Sequence, residues 1–395
     1  MAAREVVVLS GARTAIGRYG GSLKDIPPTA LASAVAKEAI DRAGIAPEDI
    51  QHAVFGNCIH TDKRDFYFAR VAAVDAGVPV TAPAYTVNRL CGSGLQAIVS
   101  ASQMILLGDI DVALAGGGES MSRAAYWATT LRWGQRMGDG KFIDAMTAAL
   151  SDPFDDCHMG QTAENVASEW GISREDQDLY SVESHRRAAA AIKEGIFKEQ
   201  VLPIQVKGKG GSVAFENDEH VRNGVDMEAM GKLRPAFSKT GTVTAGNASG
   251  TNDAAGAVVL MERSEAERRG LEPMALLTGY SFAGVEPRLM GIGPTPAVNS
   301  LLEKTGLKVE DFDTIELNEA FAAQALAVIR DLNLPLEKTN PHGSGISLGH
   351  PVSATGAILT IKALYEMRRT DTDRALVTMC IGGGQGIAAA YQRLR

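Results

Sequence analysis

Apolar positions along the first 120 residues alternate between short runs and helical stripes. Residues 6–9 form an apolar run typical of a buried strand, and 30–43 have apolar residues at helical spacing. Apolar residues between 95 and 106 fall on one helical face, and 111–115 predict a strand that ends at the glycine run 116–118. Strands that alternate with helices indicate an α/β fold with largely buried sheets.

The same order of elements recurs near the C-terminus. Residues 353–367 predict a helix after a small-residue turn, and 374–381 predict a strand followed by glycines at 382–384. The earlier unit spans 91–118 and the later one 353–384. We interpret them as a duplicated α/β unit; the alternative is a coincidence between two ordinary βαβ segments.

Residues 121–249 differ in composition from both halves. They hold all three tryptophans, and 173–194 predict an amphipathic helix that begins at Ser173. Over 186–239 there are ten Lys/Arg and seven Asp/Glu, a local excess of 10 − 7 = +3. We interpret 121–249 as an insertion in the first unit. Its basic excess is either a solvated face or a site for a polyanionic ligand.

Length and charge narrow the class of protein. The 395 residues suggest two or three domains or one large duplicated unit, and 45% hydrophobic with 22% charged residues indicate a globular protein with a sizeable core. The formal net charge of −8 argues against nucleic-acid binding. No apolar run approaches the roughly 18–20 residues of a membrane helix. Four cysteines and no signal-peptide pattern predict a cytoplasmic protein with reduced thiols.

Cys91 precedes a glycine-serine-glycine turn where a helix is predicted to begin. A thiolate at a helix N-terminus is stabilised by free N–H groups and by the helix dipole, so we expect the Cys91 pKa to lie below its ordinary value of about 8.5. The neighbouring glycines allow a sharp turn and leave N–H groups free for an oxyanion. The alternative is a buried structural cysteine.

Two further residues with reactive side chains lie in glycine-rich turns. His350 lies between Gly349 and Pro351, and a histidine on such a rigid turn is well placed as a general base; the alternative is a histidine on a surface loop. Cys380 ends a predicted strand before glycines that match neither a dinucleotide fingerprint nor a phosphate loop. Those glycines suit close approach of a ligand, which would place Cys380 at a binding site. The alternative is that Cys380 is a structural cysteine of the core.

A fourth stretch, around Asn318, also contains a candidate site residue, and the sequence lacks the pattern of a metal site. Asn318 and Glu319 precede a predicted helix, so Asn318 either caps that helix or holds a water or a carbonyl. No metal site is predicted, because the pairs 58/60 and 157/158 have no second pair at ligand spacing. Turns at strand ends converge at the rim of an α/β sheet, so we expect the four stretches to meet there. Two cysteines without a metal suggest one nucleophile and one acid/base.

The sequence resembles the thiolase family over essentially its full length, most closely the bacterial biosynthetic β-ketothiolases, including those that supply polyhydroxyalkanoate synthesis. Eight blocks carry the resemblance in the family's order: VNRLCGSGLQA, GGGESMSRA, HMGQTAEN, GTVTAGNASGTNDAA, MGIGP, NEAFAAQA, LGHP and CIGGGQG. The resemblance implies a duplicated five-layer αβαβα core with an inserted loop domain. It implies an N-terminal half over 1–121 continued by 250–271, a loop domain over 122–249 with CoA-binding and tetramerisation segments, and a C-terminal half over 272–395.

The resemblance also implies a role for each reactive residue. Cys91 would be the nucleophile that carries the acyl group, and His350 would activate it. Cys380 would move the proton at the α-carbon of acetyl-CoA. Asn318 would hold a water that forms one oxyanion hole with His350, and the N–H groups of Cys91 and Gly382 would form the other.

The implied activity is that of an acetyl-CoA C-acetyltransferase, a reversible Claisen condensation of acyl-CoA with acetyl-CoA by a ping-pong mechanism. CoA and short-chain acyl-CoA are substrates, no cofactor is held permanently, and the expected assembly is a homotetramer, a dimer of dimers with contacts over about 124–145. The alternatives are a degradative 3-ketoacyl-CoA thiolase and a non-catalytic acyl-CoA or lipid-binding relative. The implied CoA contacts are Ser249, Arg222, His158, Met159, Leu150, Phe237, Ala245, Met290, Ala320 and Phe321.

The chain departs from the common family pattern around His350. Ser344 and Ser353 replace glycines, Ser347 replaces an alanine, and His342 stands where small or polar residues are usual. A β-carbon at position 353 tightens the turn beside His350. We expect these departures to affect rate or acyl-length preference rather than the class of reaction.

Overall fold

The computed structural model describes residues 4–208 and 210–394. Lys209, one of the basic residues counted in the local excess, lies outside the described residues. The helices are α1 (Pro28–Ala43), α2 (Phe68–Asp75), α3 (Ser93–Leu107), α4 (Ala145–Ala149), α5 (Met159–Glu169), α6 (Arg174–Glu194), α7 (Met227–Gly231), α8 (Arg263–Arg268), α9 (Pro294–Thr305), α10 (Ala322–Leu332), α11 (Gly345–Leu348) and α12 (Thr355–Thr370). The strands are β1 (Val6–Thr14), β2 (Gly17–Arg18), β3 (His52–Gly56), β4 (Ala84–Val87), β5 (Val112–Ser120), β6 (Tyr126–Trp127), β7 (Ile143–Asp144), β8 (Ser151–Asp152), β9 (Cys157–His158), β10 (Val201–Leu202), β11 (Ile204–Gly208), β12 (Gly211–Phe215), β13 (Asn252–Glu262), β14 (Ala275–Gly284), β15 (Thr314–Leu317), β16 (Arg374–Ile381) and β17 (Gln385–Gln392).

The main sheet has two halves with the same strand order. Its path runs β15-β16-β17-β14-β1-β13-β5-β3-β4, so β14 is followed outward by β17, β16 and β15 as β1 is followed by β13, β5 and β3. The halves meet where Val7 and Val8 of β1 pair antiparallel with Leu276 and Ala275 of β14. The predicted duplication is therefore confirmed in the strand topology.

Five layers arise because each half-sheet is apolar on both faces. Side chains alternate along a strand, so Val7 packs toward α1 and α2 while Val8 packs toward α3 and α12. In the second half Val377 packs toward α3 and α12, and Leu376 toward α9 and α10. Helices α3 and α12 lie in contact between the two half-sheets. This arrangement confirms the expected αβαβα core.

The two glycine runs have different structural roles. Strand β5 continues through 116–118 to Ser120, so the prediction that these glycines end the strand is wrong. A β-carbon on Gly116 would lie 2.3 Å from the Gly256 carbonyl oxygen, and one on Gly117 would lie 2.1 Å from the Ser353 carbonyl oxygen. These glycines therefore admit neighbouring backbone. The run at 382–384 instead forms the turn between β16 and β17.

Helix α3 corrects the prediction that no run approaches a membrane helix. Leu90–Leu107 is long and apolar enough to pass a test for a membrane span based on length and hydropathy, but 61% of its residues are buried inside the protein. Leu95 and Ile98 are fully buried in the central layer. Leu106, which the sequence pattern places on the same helical face, is 40% exposed. The stretch is therefore a core helix of this fold.

The segment 122–249 packs on helices of the second half. Helix α5 contacts α10, and α6 contacts α10 and α11. Helix α6 begins as predicted after Ser173, whose hydroxyl accepts from the Asp176 N–H at 3.0 Å while the Asp176 carboxylate accepts from the Ser173 N–H at 3.2 Å. This packing brings the start of α5 over the turn that follows β16.

Candidate active site

A cavity of about 490 Å³ brings together four of the five predicted catalytic residues. Cys91, His350, Cys380 and Gly382 all line it. They come from the start of α3, the turn after α11, the end of β16 and the turn after β16. A larger groove, of about 980 Å³, is lined by none of the residues predicted for the site. The chemistry that the sequence predicts is therefore concentrated at the smaller cavity.

A constrained turn carries Cys91 into this cavity. Leu90 has φ +44°, a left-handed conformation that is costly for a residue with a side chain. The Ser93 hydroxyl supports the turn, since it accepts from the Arg89 N–H at 2.9 Å and donates to the Leu90 carbonyl at 2.7 Å. A β-carbon on Gly92 would lie 2.6 Å from the Ile381 side chain. The position of the Cys91 thiol is thus set by the packing of the turn before α3 on the end of β16.

Burial controls the ionisation of Cys91. It raises the pKa of the thiol to about 11, although the sulfur accepts hydrogen bonds from the Gly382 and Cys91 N–H groups, which lower the pKa. The expectation of a pKa below the ordinary value is therefore wrong, because desolvation outweighs the donors at the helix start. Cys91 is a thiol at neutral pH, and two N–H groups converge on its sulfur.

His350 is a buried, neutral imidazole. It is 5% exposed, so the alternative of a surface histidine is wrong. Its Nδ1 lies 2.7 Å from the Thr355 hydroxyl, and its main-chain N–H donates to Asn252 Oδ1 at 2.9 Å. Its Nε2 has no hydrogen-bond partner among the described residues. Burial lowers its pKa to about 4. Nε2 can therefore accept a proton at neutral pH while Nδ1 is held by Thr355.

Cys380 and Gly382 form the opposite wall. Cys380 is fully buried next to Met159 and Phe321, and burial followed by the nearby Cys91 raises its pKa well above the ordinary value. A β-carbon on Gly382 would lie 3.2 Å from Leu90 and 3.3 Å from Met159. The glycine thus keeps its N–H within reach of the Cys91 sulfur.

Asn318 lies behind the His350 turn and does not line the main cavity. It shares a small space of about 10 Å³ with Ser344, Gly349 and Thr355. Its side-chain amide is buried, and no residue in the described part of the chain forms a hydrogen bond with it. Helix α10 has Phe321 as its N-cap residue, so the capping alternative for Asn318 is wrong. The unpaired amide is compatible with holding a water.

All ten residues predicted to contact CoA line the same cavity. His158 caps α5 by accepting from the Gly160 N–H at 3.0 Å, and its ring stacks on Phe237 with 4.7 Å between centroids. On the facing side the Ser249 N–H donates to the Ala320 carbonyl at 2.9 Å. The wall is therefore built mainly by the insertion, together with the loop before α10 and Met290 of the turn before α9.

Comparisons with known proteins decide the family. Residues 6–264 match the family described as thiolase, N-terminal domain, and 271–393 match thiolase, C-terminal domain. The chain belongs to the thiolase family. It is 62% identical to beta-ketothiolase BktB of Cupriavidus necator, covering 99% of this chain and 100% of that protein, and 46% identical to an acetyl-CoA acetyltransferase of Chromobacterium violaceum, covering 98% and 100%. The crystal structure of human mitochondrial 3-ketoacyl-CoA thiolase in complex with CoA superposes with a TM-score of 0.96 at 41% identity, covering 99% of this chain and 98% of that chain.

Sequence reasoning missed part of this thiolase's cavity wall. Met121, Ala248, Gly250 and Thr251 lie inside the family blocks quoted above but were not assigned to the site, and no motif marks the other residues, which reach the cavity from separate segments. Arg18 and Tyr19 come from the N-terminal half, and His220 comes from the same segment as Arg222. The further lining residues without a sequence prediction are Met121, Ala236, Ala248, Gly250, Thr251 and Val352.

The basic excess over 186–239 divides into two parts. Arg186 and Arg187 form ion pairs with Glu183, and Lys232 pairs with Glu228. The Arg186 and Lys232 pairs are exposed and of little energetic weight, whereas Arg187 is half-buried and also donates to the Thr339 carbonyl at 2.7 Å. Arg222 alone among the described basic residues of this stretch lines the cavity. The solvated-face interpretation therefore fits most of the excess, and the anion-site interpretation rests on Arg222.

The residues that depart from the family pattern lie behind the cavity. The Ser353 hydroxyl donates to the Gly118 carbonyl at 2.8 Å. Ser347 lies 2.8 Å from the Ser184 hydroxyl, and His342 lies 2.8 Å from Glu366. The Ser344 hydroxyl is buried and has no hydrogen-bond partner within residues 4–208 and 210–394. None of these four residues lines the main cavity. Their effect on the rate or on acyl-length preference remains a prediction, and it would act through packing.

Proposed function

We propose that this thiolase is an acetyl-CoA C-acetyltransferase that forms and cleaves 3-ketoacyl-CoA through an acyl-Cys91 intermediate. The observation that carries the proposal is the convergence of two thiols and a neutral imidazole on one cavity, with two N–H groups directed at the Cys91 sulfur. A thiol nucleophile exchanges acyl groups with CoA without forming a deep trap. The relatives named beta-ketothiolase and acetyl-CoA acetyltransferase support the same reaction.

In the cleavage direction His350 Nε2 accepts the Cys91 proton, and the thiolate attacks the 3-keto carbonyl of the substrate. The Cys91 and Gly382 N–H groups hold the oxyanion of the tetrahedral adduct on Cys91, and His350 with a water on Asn318 holds the enolate oxygen that forms when the adduct breaks down. The bond between C2 and C3 breaks, and the enolate of acetyl-CoA takes a proton from the Cys380 thiol. The imidazolium proton then restores that thiol. CoA next attacks the acyl-cysteine, its proton passes to His350, and His350 returns it to Cys91.

Trapping the intermediate tests this mechanism. Wild-type enzyme incubated with acetoacetyl-CoA and no free CoA should gain one acetyl group on the Cys91 peptide by mass spectrometry. Cys91→Ser should lose the label and nearly all thiolysis. A Cys91→Ser enzyme with wild-type thiolysis would contradict the nucleophile, and a wild-type enzyme without turnover would favour the non-catalytic acyl-CoA-binding alternative.

The remaining parts of the proposal concern substrates. We infer that the ten wall residues hold CoA and short-chain acyl-CoA as substrates, with no permanently bound cofactor. The likeness to a thiolase solved in complex with CoA supports this. The alternative of a degradative 3-ketoacyl-CoA thiolase is tested by the ratio of thiolysis rates on acetoacetyl-CoA and a C8–C12 3-ketoacyl-CoA. A biosynthetic enzyme favours the shorter substrate.

We also propose the domain division 1–121 with 250–271, 122–249 and 272–395, and a cytoplasmic enzyme without nucleic-acid or membrane partners. The return of β13 to the first half-sheet supports the division. The four cysteines are free thiols, which fits a reducing compartment. A homotetramer with contacts over about 124–145 is supported by the exposed apolar side chains of that segment.

A further inference from the structure

Glu119 is a fully buried carboxylate near the end of β5 that the mechanism above does not use. One oxygen accepts from the Ile59 N–H at 3.1 Å and from the Asn57 amide at 3.2 Å. The other accepts from the Ser353 N–H at 3.2 Å. Burying a charge is costly unless donors surround it, and here the donors come from two loops far apart in the chain.

One of these loops adjoins the nucleophile Cys91, and the other adjoins the base His350. Beside Ile59, the Cys58 sulfur contacts the Leu90 carbonyl at 3.4 Å and the Ser93 hydroxyl at 3.3 Å, and these residues flank Cys91. Ser353 lies three residues after His350, in the turn that ends the His350 loop. The Glu119 carboxylate therefore joins the loop that supports the nucleophile to the loop that carries the base.

The carboxylate also acts on the nucleophile through its charge. Burial raises the pKa of Glu119 to about 7, and its negative charge raises the pKa values of Cys91 and Cys58 in addition to their burial. These two thiols are the titratable groups facing it from the turn before α3 and the loop after β3. The Ser353 loop presents an N–H, and the paired strand β13 presents Ala254.

We propose that Glu119 is a positioning residue that fixes the Cys91 thiol relative to the His350 imidazole by holding the 57–59 and 353 backbones to one carboxylate. The proposal rests on the proposed acyl-transfer function. Glu119 lines none of the CoA cavity, so its effect falls on the chemical step rather than on substrate binding.

Glu119→Gln tests the proposal because glutamine keeps the shape but turns one acceptor into a donor. The Ser353 N–H then loses its acceptor, and the negative charge near Cys91 is removed. We expect kcat for acetoacetyl-CoA thiolysis to fall at least about tenfold while KM for CoA changes less than about twofold. Iodoacetamide labelling of Cys91 at pH 8, followed on its peptide, should become at least about threefold faster as its pKa falls.

Asp65→Asn is the matched control. Asp65 is also fully buried and accepts from the Thr61 N–H at 2.6 Å and from the Asp62 N–H at 3.2 Å, further along the loop after β3, so its carboxylate does not join that loop to the Ser353 backbone. It should lower thermal stability without changing kcat or Cys91 labelling. Ser353→Ala keeps the N–H to Glu119 and should lose less activity than Glu119→Gln.

Two results would overturn the role of Glu119: a Glu119→Gln enzyme with wild-type kcat, or one whose kcat falls with unchanged Cys91 labelling, as expected of a merely structural residue. Cys91→Ser separates this failure from that of the proposed function. If Cys91→Ser is inactive and Glu119→Gln behaves as wild type, only the positioning role is wrong. If Cys91→Ser retains thiolysis, the acyl-cysteine function itself is wrong.

Discussion

At the scale of single residues, the pKa of Cys91 distinguishes an enzyme whose nucleophile rests as a neutral thiol from one whose nucleophile rests as a thiolate paired with an imidazolium. A thiol with a pKa of about 11 reacts only through its small thiolate fraction, so its alkylation should rise about tenfold per pH unit and reach no plateau between pH 7 and 9.5. The measurement is the rate of iodoacetamide labelling of the Cys91 peptide at several pH values, checked against a circular dichroism spectrum at each pH. A plateau below pH 8 would mean that Cys91 and His350 form an ion pair in the free enzyme.

Thr355 fixes the base at the same scale. Its hydroxyl lies 2.7 Å from His350 Nδ1, so Thr355→Val, which conserves shape, removes the partner that orients the ring. We expect kcat to fall about 10- to 100-fold with little change in KM for CoA. Thr360→Val is the control, since Thr360 lies one turn further along α12, is equally buried and does not contact His350. Equal losses in both variants would assign the effect to helix packing.

At the scale of elements, the start of α5 shapes the wall predicted to bind CoA. A β-carbon on Gly160 would lie 2.2 Å from the Phe237 ring, which stacks on His158. Gly160→Ala should therefore displace both rings and raise KM for CoA about tenfold, with a smaller effect on kcat. Gly231→Ala is the matched control because a β-carbon at the end of α7 meets open space. An unchanged KM in Gly160→Ala would remove the stacked pair from the binding wall.

The elements also show what local sequence can predict. Turns marked by glycine, proline and small residues were found because their signal lies within a few positions, and they placed Cys91, His350 and Cys380 on one cavity. The continuation of β5 through its glycines could not be predicted in this way. These glycines are needed because the carbonyls of Gly256 and Ser353, which are distant in sequence, approach them closely. The high pKa of Cys91 was missed for the same physical reason, since burial depends on how distant elements pack.

At the scale of the whole molecule, the segment 124–145 exposes large apolar side chains to solvent. Trp133 is 92% exposed and Met137 is 83% exposed, as expected of side chains that another subunit covers. The enzyme should sediment as a tetramer, and Trp133→Asp combined with Met137→Asp should shift the mass to that of a dimer, because charges placed in an apolar contact are desolvated without partners. Leu336→Asp, which charges an exposed leucine outside this segment, should keep the tetramer. A wild-type enzyme that sediments as a monomer or dimer would contradict the assembly, and a double variant that stays tetrameric would move the contact to another face.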